Sequence, residues 1–397
     1  MRSKWVALGM CAILLTGCWD RTEINDLAII TAASVDTDEK DKNKVLLSVQ
    51  VFIPRALGGG GAGGGSIGGG EGKLTMMRSS EGVNIADAMS KLQGKIPRLI
   101  FWGHCKVYLF GEEAAKQGLA DHIDFLVRHP EPRNRSYLYI SKGKGQDMLT
   151  ITPVLERSTA ESLREYADLH IGMAVTLVDY RNMLRGESEA IAIPMIENGK
   201  SLQKPQDVQV SGVIVGTAIL KRDKMIGKIP TTATRGLLWL RDEMQKAAIT
   251  VRIKNEKGTI SVNPTRTKTK LIPKIENGKW SMVVKVETEG DVVENGTKLN
   301  LMNPEFLAML QAAVREDIDS RMKMAMEILQ HELKADVVEF AAAFHRKYPK
   351  EWEQAKDRWD EIFSQMEVRS DINVEIRRPG LTSAPAGIPQ EDVKNQE

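Results

Sequence analysis

The sequence predicts an α+β protein of more than one domain, and three observations lead there. Short strands and helices alternate through the first half, the pattern of a mixed α/β domain. In the second half, strand-like runs are joined by turn dipeptides, which predicts antiparallel strands. One apolar stripe from Phe306 to Leu329 then predicts a long helix in the C-terminal region. At 397 residues the chain is too long for one ordinary core, so two or three domains are expected.

Charged residues make up 27% and hydrophobic residues 42%, ordinary values for a globular protein. The formal net charge is +2, and removing Arg2 and Lys4 with a leader brings it to about zero. A chain without a basic excess offers no general footprint for nucleic acid or for a polybasic membrane patch; no nucleic-acid partner is expected, and the lipid is expected to do the membrane work.

The chain opens with Arg2 and Lys4, an apolar run from Trp5 to Leu15, and then Leu15-Thr16-Gly17-Cys18. Basic residues, a short apolar run and small residues before a cut site are the anatomy of a secretory signal. A cysteine after the small pair makes it a bacterial lipobox, with cleavage after Gly17 and an S-diacylglyceryl group on Cys18. A plain secretory signal is the weaker alternative. So is a membrane helix, because the run has about half the ~20 residues a span needs. A diacyl anchor is stable, each buried methylene contributing ~0.8 kcal/mol. Trp19 fits either the headgroup level or the domain interior. Of the three cysteines, Cys11 leaves with the leader and Cys18 is acylated, so Cys105 has no partner for a disulfide.

Asp20 to Asp26 read as a short polar linker or a single helical turn. Leu27–Val35 and the alternating Val45–Ile53 read as a hairpin around the charged turn 36–44. Gly58 to Gly72 is nearly all glycine. A phosphate-cradling loop needs Gly-x-x-x-x-Gly-Lys-Ser/Thr, and alignment on Gly72-Lys73 puts Ile67 and Leu74 at two required positions, so the run reads as a flexible insertion. A strand at Lys73–Arg78, a helix at Val83–Gln93, a strand at Trp102–Phe110 and a helix from an Asp121 N-cap to Arg128 follow. Tyr137–Ser141 reads as a strand. Helical pieces near Gln146 and over Ser158–Leu169 lead to a strand at Ile191–Pro194, and 198–205 reads as a linker.

Beyond it, Val208–Leu220 and Met225–Ile229 read as strands around a turn at 221–224, and Thr234–Met244 as a helix. Ala248–Val262, Thr267–Pro273 and Lys279–Val293 read as three antiparallel strands joined by Glu256-Lys257-Gly258 and Glu276-Asn277-Gly278. Asn303 caps a helix with Pro304 at its first position, about 28 residues or roughly 42 Å long. The Met322, Met324 and Met326 cluster reads as core filling. Asp336 with Glu339 reads as a capping box opening a second helix, and Pro349 starts a third to Ser364. Met366 to Ile376 alternate as a strand with one wet face, and the tail beyond Pro379 reads as disordered. The expected organisation is a signal peptide (1–17), a lipid-anchored linker (18–26) and an N-terminal mixed α/β domain (27–197) carrying the loop 58–72. A small middle domain (206–247), a C-terminal domain of antiparallel sheet plus helices (248–379) and the tail (380–397) complete it.

No catalytic constellation is visible, and no metal or cofactor is expected. The six histidines, His104, His122, His129, His170, His331 and His345, form no ligand pair. His331-Glu332 begins a zincin motif, but Ala335 stands where its second histidine belongs. There is no Gly-x-Ser-x-Gly elbow. Cys105 reads as a buried structural thiol and His104 as a hydrogen-bonded structural histidine.

The opening Gly17-Cys18-Trp19-Asp20-Arg21-Thr22-Glu23-Ile24-Asn25-Asp26-Leu27-Ala28 resembles that of the Ger(x)C spore germination lipoproteins. So does the run from Phe344 through Trp352 and Trp359-Asp360-Glu361-Ile362-Phe363 to Ile376-Arg377-Arg378-Pro379-Gly380-Leu381. Phe101-Trp102-Gly103-His104 and Thr234-Arg235-Gly236-Leu237-Leu238-Trp239-Leu240 also resemble family blocks. The glycine run departs from the pattern. The resemblance implies three mixed α/β domains and the C subunit of a nutrient germinant receptor. Such a subunit has no known catalytic activity. It is acylated at Cys18, lies on the outer face of the cytoplasmic membrane (the spore inner membrane), and associates with integral membrane subunits A and B. The alternative is an extracytoplasmic solute-binding lipoprotein of a transporter, but the unlike halves of this chain are not two similar lobes. A cell-wall enzyme has no residues to support it.

Overall fold

The computed structural model describes residues 23–53, 74–151, 153, 155–199, 212–245, 247–378, 385 and 387–395. The lipobox with Cys18, the glycine run 58–72 and most of the expected linker 198–205 lie outside them. The fold is mixed α/β with two sheets, as the sequence predicts. The larger contains β1 (Leu27–Thr37), β2 (Val45–Phe52), β3 (Thr75–Gly82), β4 (Leu99–Phe101), β5 (Val107–Gly111) and β6 (Tyr137–Ser141). It continues through β7 (Ala190–Asn198), β8 (Gly212–Lys221) and β9 (Lys224–Pro230). The order is β3-β2-β1-β5-β6-β7-β8-β9, with β4 also on β1. Its centre is parallel and both flanks are antiparallel. The second sheet runs β10 (Ile249–Val251), β11 (Ile260–Glu276), β12 (Lys279–Asn295), β13 (Glu367–Arg378).

The central strands are buried on both faces, as a parallel core requires. In β5, Tyr108 and Phe110 join the core under α1 (Ile85–Gln93) and α3 (Ala120–Arg128), while Val107 and Leu109 join the core under α4 (Gly145–Leu149) and α5 (Thr159–Asp168). Two short helices that sequence periodicity does not predict, α2 (Glu112–Gln117) and α6 (Leu177–Leu184), complete this half.

The segment expected as a small middle domain has no sheet of its own. β8 pairs with β7 from Gly212 to Lys221, so its strands extend the large sheet. From there α7 (Thr231–Leu240) enters the interface between the sheets, with seven of its residues buried. Thr234 Oγ1 lies 3.0 Å from Thr217 Oγ1 on β8, and Thr269 Oγ1 on β11 donates to the Trp239 carbonyl at 2.7 Å. One apolar cluster runs from Ala192, Ile219 and Ile229 of the large sheet through Leu237 and Trp239 to Val284 and Val286 of the second.

The long helix α8 (Pro304–Glu327) starts at Asn303, whose Oδ1 accepts from Glu305 N at 2.8 Å, and continues into a π turn at Ile328–Glu332. That turn aims Gln330 into the core, where its Nε2 donates to the Phe363 and Met366 carbonyls at 2.6 and 3.0 Å. Met322 and Met326 are buried, but Met324 is exposed. α9 (Phe340–Lys347), α10 (Pro349–Ala355) and α11 (Trp359–Gln365) then bring the chain to β13, which pairs in parallel with β12 at the sheet edge. Ile372, Val374 and Ile376 face the core, as their alternation predicts. Asn277 and Gly278 both have positive φ, as a two-residue hairpin between β11 and β12 requires.

Several expectations need correction. Trp102–Phe110 is not one strand: Trp102 turns into the core, and Cys105 N closes a turn on Trp102 O at 2.8 Å between β4 and β5. Asp121 does not cap α3, which begins at Ala120 after Leu119 and has no side-chain cap. The expected turn at Glu256-Lys257-Gly258 falls within a break at 252–259, where Asn255 and Gly258 take positive φ, so Ala248–Val262 is not one strand, and its end joins Thr267–Pro273 in the single strand β11. The helix expected to Ser364 is interrupted by a 3-10 turn at Lys356–Arg358. The tail is placed in part: Lys394 N donates to Lys298 O at 2.8 Å and Asn303 Nδ2 to Asn395 O at 2.8 Å.

At Gly236, α7 meets α8 backbone to backbone, and a Cβ there would overlap the Arg321 carbonyl. Ala improves helix propensity by ~1 kcal/mol, but forcing two backbones apart costs more. Gly236→Ala is therefore expected to destabilise the protein by about 2 kcal/mol, read from the urea unfolding midpoint.

Candidate functional site

The site residue expected from sequence, Cys18, lies five residues ahead of the first described residue, Glu23. From there a 3-10 turn (Ile24–Asp26) leads directly into β1. β1 lies inside the large sheet, with β2 on one side and β4 and β5 on the other. A chain tethered at Cys18 would thus be attached through an interior strand rather than a loose edge.

A cavity of about 580 Å³ opens where the two halves meet, lined by residues of the 170–190 segment, the end of α7 and the 336–342 segment. Its polar groups are committed to the fold. Arg241 follows α7; its Nε donates to Glu243 Oε1 at 2.8 Å, Nη1 donates to Val337 O, and Nη2 stands 3.7 Å from Glu339 Oε1. Burial pushes the Glu243 carboxyl above the usual range, and the Arg241 charge opposes it. Asp179 closes a true capping box with Thr176 at the start of α6. Asp242 Oδ1 accepts from Thr269 N at 2.6 Å. On the rim, Glu187 Oε1 lies 2.7 Å from His345 Nδ1, and beyond the cavity Lys221 Nζ donates to Asp360 Oδ1 at 2.6 Å, so both pairs join the large sheet's side to α9 and α11. The cavity is a seam.

Asp336 plays a different part from the expected capping box. Glu339 adopts φ 65° and makes no cap bond. The buried Asp336 carboxylate instead accepts from Val338 N and Phe340 N at 3.1 Å, Ala341 N at 2.7 Å and Trp359 Nε1 at 3.1 Å. Burial pushes this carboxyl up, and the four donors oppose the push. Trp359 belongs to a cluster with Trp280, Phe344, Trp352 and Phe363, whose rings meet tilted or edge-on at centroid distances of 4.7–6.3 Å.

Among the described residues, no three His, Cys, Asp or Glu side chains converge as metal ligands. Cys105 is buried, its Sγ 3.5 Å from Val107 O, and burial pushes the thiol up to about 12. A thiol that is neutral and shielded is a poor nucleophile. His104 is exposed beside Phe101 at 5.8 Å and makes no hydrogen bond among the described residues, contrary to the structural histidine expected.

With this geometry in place, comparison with known proteins is decisive. The family description "Spore germination protein N-terminal domain" matches residues 20–198, and "Spore germination B3/ GerAC like, C-terminal" matches residues 215–380. The chain belongs to the GerAC-like spore germination family. "Putative spore germination protein YfkR" of Bacillus subtilis (strain 168) is 29% identical over 377 residues, covering 94% of this chain and 95% of the relative. "Spore germination protein KC" of the same organism is 28% identical, covering 96% of each. The crystal structure of the GerBC protein shares the fold, with a TM-score of 0.58 at 21% identity over 87% of this chain and 97% of that one.

Two tests follow. Asp336→Asn turns an amide N–H toward a donor, and is expected to cost about 2–3 kcal/mol in urea unfolding. A chain that starts at residue 18 and carries Cys18→Ala is expected to leave Ellman's reagent unreacted at pH 8 while native and to release one thiol equivalent, that of Cys105, once guanidinium unfolds it.

Proposed function

We propose that this germination-family protein is the lipid-anchored C subunit of a nutrient germinant receptor. The match of both halves to the germination family supports the reading most strongly. The lipobox at Leu15–Cys18 supports the anchor, with cleavage after Gly17 and a diacylglyceryl group on Cys18. On this reading the folded chain sits on the outer face of the spore inner membrane. It works without catalysis, through contacts with the A and B membrane subunits. No helix among the described residues is long and apolar enough to cross a membrane, so a tether must come from elsewhere in the chain. A shared apolar core joins the unlike halves, which gives no support to a solute-binding protein with two mobile lobes.

The test is Cys18→Ala in spores, scored for membrane retention of this protein, levels of the A and B subunits, and nutrient-triggered germination. All three are expected to fall. Normal germination after deletion of the whole gene, with no paralogue compensating, would defeat the proposal.

A further inference from the structure

The end of the large sheet where the chain begins combines three features found together nowhere else on the described surface. It carries exposed apolar side chains: Ile24 is 67% and Leu99 55% exposed. Leu99 opens β4, which pairs in parallel with the start of β1 in the register Leu27↔Leu99. Its outward direction is fixed, because Ile96 and Ile100 on either side are buried. Gln93 locks the loop before it: its Nε2 donates to the Ile96 and Arg98 carbonyls at 3.2 and 2.8 Å, and its Oε1 accepts from Ile100 N at 3.0 Å.

The second feature is unpaired positive charge. Arg98 precedes Leu99, and Arg133 and Arg135 lie in the loop before β6; none makes an ion pair or a side-chain hydrogen bond among the described residues. That loop is fastened beside the β4–β5 turn. Glu131 Oε2 accepts from Trp102 N at 2.9 Å, Ser136 Oγ donates to Cys105 O at 2.6 Å, and Tyr137 N donates to Lys106 O at 2.9 Å. His104 stands at the same turn; partial burial lowers its imidazole pKa, and the nearby Arg133 and Lys106 charges lower it further. The acidic groups at this end include Glu23, Asp26, Glu131, which is bound to Trp102 N, and Glu161, whose Oε1 stands 3.8 Å from Lys106 Nζ. With those last two engaged, three arginines without an ion-pair partner among the described residues stand here with Glu23 and Asp26.

The third feature is the tether. Five residues separate Cys18 from Glu23, a reach of at most about 17 Å when fully extended. With the lipid anchor proposed above, this end is held near the bilayer.

We infer that this end of the large sheet is a membrane-docking surface, with Leu99 and Ile24 entering the headgroup boundary and Arg98, Arg133 and Arg135 meeting the phosphates of anionic lipids. The inference rests on the lipid anchor proposed above. The anchor supplies retention, and the surface supplies orientation. Apolar side chains flanked by Arg are the composition of interfacial membrane contacts.

The experiment has two arms. In the first, the acylated full chain carrying Leu99→Cys, labelled with an environment-sensitive fluorophore, is reconstituted in phosphatidylglycerol/phosphatidylcholine vesicles containing brominated lipid. A label at Val293→Cys, equally exposed on the second sheet, is the reference. The label at 99 should be quenched several-fold more than the label at 293. Combining Arg98→Glu, Arg133→Glu and Arg135→Glu should abolish the difference. Equal quenching at both positions, with acylation of Cys18 verified by mass, would overturn the surface and leave the anchor standing. A label at 99 shielded from aqueous iodide but not reached by brominated lipid would mean that a protein covers this end, and would also overturn it. In the second arm a chain that starts at residue 18 and carries Cys18→Ala, and so has neither leader nor acyl group, is floated with vesicles. At low salt it should bind phosphatidylglycerol vesicles at least tenfold better than pure phosphatidylcholine, and lose that binding with the three arginine reversals. No preference would refute the surface, whatever the state of Cys18.

Discussion

The architecture depends on one close approach: the backbone of α7 at Gly236 against the backbone of α8 at Arg321. That contact lets a single ten-residue helix be buried on several sides at once. Thr234 ties it to β8 of the large sheet and the Trp239 carbonyl ties it to Thr269 of β11, so the two sheets share one helix rather than meeting at a soft interface. Any side chain at position 236 would push α8 outward and open the apolar cluster that runs between the sheets.

A second fixed point lies at Asp336. A fully buried carboxylate is costly unless its oxygens are satisfied, and here four donors meet it. One of them, Trp359 Nε1, comes from α11, so the same group orders the start of α9 and anchors the aromatic cluster. This gives a physical reason for the dense aromatic block from Phe344 to Phe363. It is the core beneath the C-terminal sheet, with Trp280 of β12 inserted among the helix residues. Arg241 closes the arrangement by joining the end of α7 to the Val337 carbonyl. The cavity beside it exists because these pieces come from different layers. Its charges are spent on holding the layers, which fits a protein that acts through surfaces.

Much of this was legible in the sequence where local chemistry decides structure. The alternation from Val45 to Phe52, the Asn277-Gly278 turn and the Asn303-Pro304 helix start all depend on residues within a few positions of one another. What was missed depends on partners far away. Asp336 and Glu339 have the spacing of a capping box, but Trp359 and the left-handed Glu339 change the bonding. Gly236 is an ordinary helix-breaking signal until the Arg321 carbonyl is placed beside it. α6 was hidden because eight residues bury only Leu177 and Tyr180, although Thr176 and Asp179 are a capping box that could have revealed it. The continuous large sheet was obscured by the polar stretch 198–205, which reads as a domain boundary. Arg98 is placed by the pairing of β4 with the start of β1, and Arg133 and Arg135 by a loop fastened beside the β4–β5 turn, so only the fold relates them. For the site itself the order is reversed: Cys18 is legible in sequence and lies outside the described residues.

That the two sheets form a single cooperative body is most directly tested by native-state hydrogen exchange on the mature chain across a range of sub-denaturing urea. A helix shared by both sheets requires the slowest amides of β8, α7 and β12, such as those of Ile219, Leu237 and Val284, to open with the same free energy and the same urea dependence. Separate openings, with β12 exchanging through a smaller and less urea-sensitive event than β8, would contradict the shared core and make the second sheet an independent domain.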